Sequence, residues 1–88
     1  PVPIHGSEEI IPFDTVIVAI GNESNPLISK TTPELQVDRH GHIIVDERQK
    51  TSIERVYAGG DIVLGSATVI LAMGEGRRAA QSINEILQ

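Results

Sequence analysis

Val56-Tyr57-Ala58-Gly59-Gly60-Asp61-Ile62 is the stretch from which the rest of the chain is best read. Val56, Tyr57 and Ala58 are apolar or β-favouring and read as a short buried strand. The two glycines at its carboxyl end let the backbone turn sharply and come close to a ligand. Open α/β sheets bind their ligands at that end of the strands. Asp61 then stands at the rim, where a carboxylate can accept hydrogen bonds from the hydroxyls of an uncharged polyol. A hydroxyl-rich cofactor suits such a rim. The alternative is that Gly59-Gly60-Asp61 is only a turn, and the flanking sequence has to decide.

Downstream, Ile62 to Thr68 is a glycine-containing loop whose closing hydroxyl residues suit a helix cap. At 100° per residue, Val69, Ala72, Met73, Gly76, Ala79, Ala80, Ile83, Ile86 and Leu87 then share one face, with Arg77, Arg78, Gln81, Asn84 and Glu85 opposite. This periodicity predicts one amphipathic helix from Thr68 to Leu87, ~30 Å long. Glycines inside a helix cost about 1 kcal/mol each relative to alanine. Gly76, lying among Ala72, Ala79 and Ala80, is therefore expected to meet another backbone closely. The unbroken period also sets aside Gly74-Glu75-Gly76-Arg77-Arg78-Ala79 as a dinucleotide fingerprint, because that motif follows a strand and opens a helix.

Upstream, Asp14-Thr15-Val16-Ile17-Val18-Ala19-Ile20-Gly21 carries five consecutive apolar residues between an acid and a glycine. That is the pattern of a strand covered on both faces, and it implies a parallel sheet. Residues 1 to 13 mix prolines, Gly6 and acids and read as an extended leading segment or an edge strand. Asn22 to Pro33 reads as a loop crossing between two structural units. Leu35-Gln36-Val37 and Ile43-Ile44-Val45 flank Asp38-Arg39-His40-Gly41-His42 and predict a hairpin with a polar loop. Asp46 to Arg55, with Thr51-Ser52, reads as a connecting loop. The expected fold class is α/β, with several short strands, a hairpin and one long C-terminal amphipathic helix.

Composition narrows the function. Seven basic against twelve acidic residues give a net charge of -5, which argues against a nucleic-acid or anionic-membrane partner. The chain has no cysteine, so no disulfide, cysteine-ligated metal or redox dithiol exists within it, and redox chemistry has to come from a cofactor. No apolar run approaches the ~20 residues of a membrane span, and the expected location is the cytoplasm. His40 and His42 flank a turn glycine and read as solvated loop residues rather than metal ligands. The sequon Asn22-Glu23-Ser24 has meaning only in a secreted protein. A start at Pro1-Val2-Pro3 reads as a piece of something longer.

With Asp14 to Gly21, Gly41 to Asp46, Thr51-Ser52, Val56 to Asp61 and Ala67-Thr68 in this order, the chain resembles the C-terminal part of two-dinucleotide-binding flavoprotein reductases. Gly59 to Ala80 looks most like the NADPH-dependent glutamate synthase small (beta) subunit group of FAD-dependent oxidoreductases. The resemblance implies that residues 1–30 end an NAD(P)H-binding domain, with 14–21 its last strand, and that 31–88 are the C-terminal part of the FAD-binding domain. It implies cofactor contacts at Gly60 and Asp61, toward the flavin ribityl chain, and at Ala67 and Thr68, a helix start beneath the flavin pyrimidine ring. NADPH is the implied co-substrate, no side chain of this stretch is implied as catalytic, and the implied partner is the remainder of the parent chain. Both pyrophosphate-gripping glycine fingerprints of that family lie outside these 88 residues. The chain alone is thus expected to hold no cofactor, to be inactive, and to form a homodimer or higher oligomer through its uncovered apolar surface. The competing reading is a non-catalytic, self-associating module.

Overall fold

Regular structure in the chain is almost wholly helical. A computed structural model describes all 88 residues, Pro1–Gln88, and contains α1 (Leu27–Thr31), α2 (Asp61–Leu64) and α3 (Val69–Leu87). Strand pairing is reduced to two isolated antiparallel bridges, Val37 with Ile43 and Lys50 with Tyr57. The expected set of short strands therefore does not form within this chain. Asp14 to Gly21 has no regular structure and takes part in no backbone hydrogen bond. A strand exists only through the N–H and C=O groups of its neighbours, and no other segment runs beside this one. Val16, Ile17, Val18 and Ile20 are each more than three-quarters exposed.

Two further expectations need correction. The Asn22–Pro33 loop contains α1, and the loop after Gly60 opens with the single turn α2. The hairpin survives in outline: Asp38 N–H donates to His42 O at 2.9 Å and Ile44 N–H to Gln36 O at 3.1 Å. The Val56–Ala58 segment pairs back on the preceding loop, with Thr51 N–H donating to Val56 O and Ala58 N–H to Gln49 O, each at 3.0 Å.

The molecule measures 62 × 28 × 18 Å with a radius of gyration of 18.8 Å, whereas a compact domain of this length has about 12 Å. Leu35 is the one buried apolar residue. Polar clips do much of the holding in the ordered part. Ser52 Oγ accepts from Gln36 N–H at 2.9 Å and donates to Glu34 O at 3.0 Å, while buried Thr51 donates its hydroxyl to Val56 O at 2.9 Å. No helix is long and apolar enough to cross a membrane.

α3 forms as its period predicts. Thr68 caps it, accepting from Leu71 N–H at 3.4 Å, and the helix runs through Gly74 and Gly76 without a break. The side it turns to the rest of the chain is only one edge of its apolar stripe: Ala72 and Ala79 from that edge, with Glu75 and Ser82 beside them, are the covered residues. Gly76 is exposed, and a methyl there would meet nothing within 4 Å. The close backbone approach is made by Gly59 instead: a Cβ on it would lie 2.9 Å from the carbonyl carbon and oxygen of Glu75. Val69, Ile70, Leu71 and Met73 are exposed around the first turns.

Gln49 and Arg55 are the non-glycine residues with positive φ, both at 65°. Arg55 is exposed and forms no ion pair, so nothing from its side chain offsets the left-handed conformation, which costs roughly 1–2 kcal/mol. Arg55→Gly is expected to raise stability by up to ~1 kcal/mol once glycine's greater freedom in the unfolded chain is subtracted. A thermal midpoint that rises in the full-length protein would check this.

Candidate functional site

Gly60 caps α2 with φ 90° and ψ -155°, a conformation essentially reserved for glycine. Its carbonyl accepts from the N–H groups of Val63 and Leu64, each at 3.0 Å, and the tight turn leaves Asp61 as the first residue of α2 with an exposed carboxylate. Asp61 faces an open groove of about 230 Å³. One wall is the loop Asn22-Glu23-Ser24-Asn25; the other is built from His42, Ile62, Gly65 and Ser66, with Ile62 the single apolar contributor. A groove lined by hydroxyl, amide and carboxylate groups suits a ligand segment rich in hydroxyls.

The hairpin turn is fixed against this groove by its own acid. Asp38 Oδ1 accepts from the backbone N–H groups of His40 at 2.8 Å and His42 at 3.0 Å, and Asp38 Oδ2 lies 3.3 Å from His42 Nδ1. Ile43 N–H donates to Ile62 O at 2.8 Å, joining the turn to α2. The His42 N–H bond to its carboxylate is the main reason the Asp38 pKa lies below the ordinary 3.8. A depressed folded-state pKa means that the turn's stabilisation is complete above that ordinary value and is lost as pH falls through the lower folded one. The side-chain carboxyl carbon shift of Asp38 in the full-length protein is therefore expected to titrate below the ordinary aspartate range.

Of the four residues singled out from sequence, Asp61 lines the groove, and Gly60 turns the chain into it. Ala67 and Thr68 do not line it, although Ser66 just before them does. They form the start of α3, where Thr68 Oγ1 serves the Leu71 N–H and the N–H groups of Val69 and Ile70 have no partner. His42 and the 22–25 loop were not legible as site residues, because no spacing in the sequence pairs them with Asp61. No three His, Cys, Asp or Glu side chains converge on a point.

The chain belongs to the pyridine nucleotide-disulphide oxidoreductase family, whose model matches residues 3–76. Among characterised relatives it is 43% identical, over 96% of its length, to the glutamate synthase [NADPH] small chain of Azospirillum brasilense, of which it covers 18%. It is 38% identical over 97% of its length to the corresponding small chain of Escherichia coli, covering 19% of that protein. It is 43% identical over its full length to the NADP(+)-dependent formate dehydrogenase subunit beta of Moorella thermoacetica, covering 12% of it. The chain thus spans less than a quarter of the length of these relatives.

Proposed function

We propose that the chain is part of an FAD-dependent NAD(P)H oxidoreductase of the glutamate synthase small-chain type, with residues 1–30 closing the NAD(P)H-binding domain and 31–88 forming the C-terminal part of the FAD-binding domain. The observation that carries this reading is Asp61, set by a positive-φ glycine at the head of α2 on a polar groove, in a chain whose family is one of pyridine nucleotide oxidoreductases. The residues present fit the cofactor. Asp61 offers acceptor oxygens to ribityl hydroxyls. Gly60 keeps the chain out of the ligand's way. The start of α3 at Ala67-Thr68 offers two unpaired N–H groups and the positive end of a 19-residue helix, which favour negative charge at the pyrimidine end of a flavin. Bound FAD would supply the acceptance of a hydride from NADPH, and these residues bind and tune rather than react.

In the full-length protein, Asp61→Ala is expected to weaken FAD retention by roughly tenfold or more, the scale of one lost charge-assisted hydrogen bond. The fold should be unaffected, because Asp61 is exposed and its side chain forms no hydrogen bond within the chain. FAD-to-protein ratios after exhaustive dialysis, read beside circular dichroism, measure the effect. A flavin content equal to that of the unsubstituted protein would remove the assignment.

A further inference from the structure

Gln49 combines two features that rarely coincide: it is 2% exposed and it holds a φ of 65°. Its amide is fully used. The NH2 group donates to Ala58 O at 3.3 Å and to the Glu75 carboxylate, and the amide oxygen accepts from Arg78 Nη1 at 3.2 Å. Glu75 and Arg78 are themselves paired at 2.8 Å. An amide has two donors and an acceptor, and all three are engaged here, one with the segment that leads into Gly59-Gly60-Asp61 and two with α3. No hydrogen bond joins α2 directly to α3, so this clasp and the Gly59–Glu75 contact beneath it are the ties nearest Asp61, with the Arg48–Glu85 ion pair holding α3 toward its far end.

We infer that Gln49 is a positioning residue that sets the start of α3 against Asp61, and so aligns the two places where the chain touches the flavin. This rests on the flavin reading above. Glutamate in its place loses both donors and faces the Glu75 carboxylate. Asparagine accepts a positive φ more readily than glutamine but is one methylene too short to reach both partners. Asparagine therefore separates the side chain's role from the backbone's.

The test uses the full-length protein with Gln49→Asn, Gln49→Glu and the exchanged pair Gln49→Glu/Glu75→Gln, alongside Asp61→Ala. Gln49→Asn is expected to lower the thermal midpoint modestly, the easier positive φ offsetting part of the lost bonding, to raise the FAD dissociation constant about tenfold, and to shift the flavin reduction potential to more negative values as the α3 N–H groups lose alignment. In the apoprotein it should speed amide exchange in the first turns of α3. Gln49→Glu should show the same losses, and the exchanged pair should recover them in part, because the amide now on α3 can donate to the carboxylate now on the loop with Arg78 beside both, while Ala58 O stays without its donor. Wild-type potential, FAD affinity and amide exchange in Gln49→Asn would overturn the inference, as would an exchanged pair no better than Gln49→Glu. Loss of FAD in Asp61→Ala but not in Gln49→Asn rejects the positioning role and keeps the site. No loss in Asp61→Ala rejects the flavin reading itself and the positioning role with it.

Discussion

Purified by itself, the 88-residue chain is expected to show no cooperative unfolding transition as a monomer and to bind neither FAD nor NADPH at micromolar concentration. Its accessible surface is 7737 Å², whereas a compact monomer of this mass exposes about 5,000 Å². Only four of 88 residues are buried, three of them polar, so the apolar burial that has to outweigh chain entropy is largely missing. Binding fares no better. Asp61 and one helix start supply contacts worth ~1–3 kcal/mol each, while a micromolar complex needs about 8 kcal/mol net of the cost of immobilising a large ligand. The exposed apolar residues of the 10–20 segment and of α3 drive association instead. Light scattering coupled to size-exclusion chromatography should reveal oligomers or aggregates, and titration calorimetry with FAD should give no saturable heat. A monodisperse monomer that melts cooperatively, or a micromolar FAD complex, would refute the argument.

The second large effect belongs to Gly59→Val in the full-length protein. Any Cβ there lies 2.9 Å from two backbone atoms of Glu75 and 3.2 Å from its Cβ. Backbone inside a 19-residue helix cannot step aside as a flexible side chain would, so α3 has to withdraw as a unit. Withdrawal would also break the Gln49 bonds to Glu75 and Arg78. Overpacking of this kind costs 1–3 kcal/mol, occasionally more. The two extra methyls of valine and the lost polar contacts place Gly59→Val at or above ~3 kcal/mol, and Gly59→Ala within that lower range. Chemical denaturation of flavin-free protein measures both. Two variants as stable as the parent would show that α3 does not pack here.

What could be read from sequence was whatever a single element dictates for itself. α3 was legible because its period, its Thr68 cap and its length are local properties, and the turn into Asp61 was legible because two glycines and an acid say the same thing from any direction. The strand at Asp14–Gly21 was misjudged within this chain for an equally physical reason. Its apolar pattern is that of a strand covered on both faces, and no segment of these 88 residues pairs with it. A related cause misplaced Gly76: only one edge of the apolar stripe of α3 meets this chain, along Ala72 and Ala79 with Glu75 and Ser82 beside them. Gln49 gave no signal, and Thr51, though part of the family resemblance, gave none of its burial. A polar residue in a polar loop reads as solvated until a helix from elsewhere in the chain closes over it.

The attachment of α3 has a mechanical consequence. Gly59 and Gln49 grip it at Glu75 and Arg78, and an Arg48–Glu85 ion pair holds it nearer its end, while its first turn has only the Thr68 cap. The helix is a rod fixed at mid-length, with a free arm of seven residues, about 10 Å, between the pivot and Thr68. A tilt of about 5° at the pivot carries the tip of that arm through roughly 1 Å, the scale at which misplaced groups begin to lose their effect on a reacting centre. Precision at the α3 tip is therefore set two turns away, at the pivot, where small side chains and one buried amide leave the rod little room to swing.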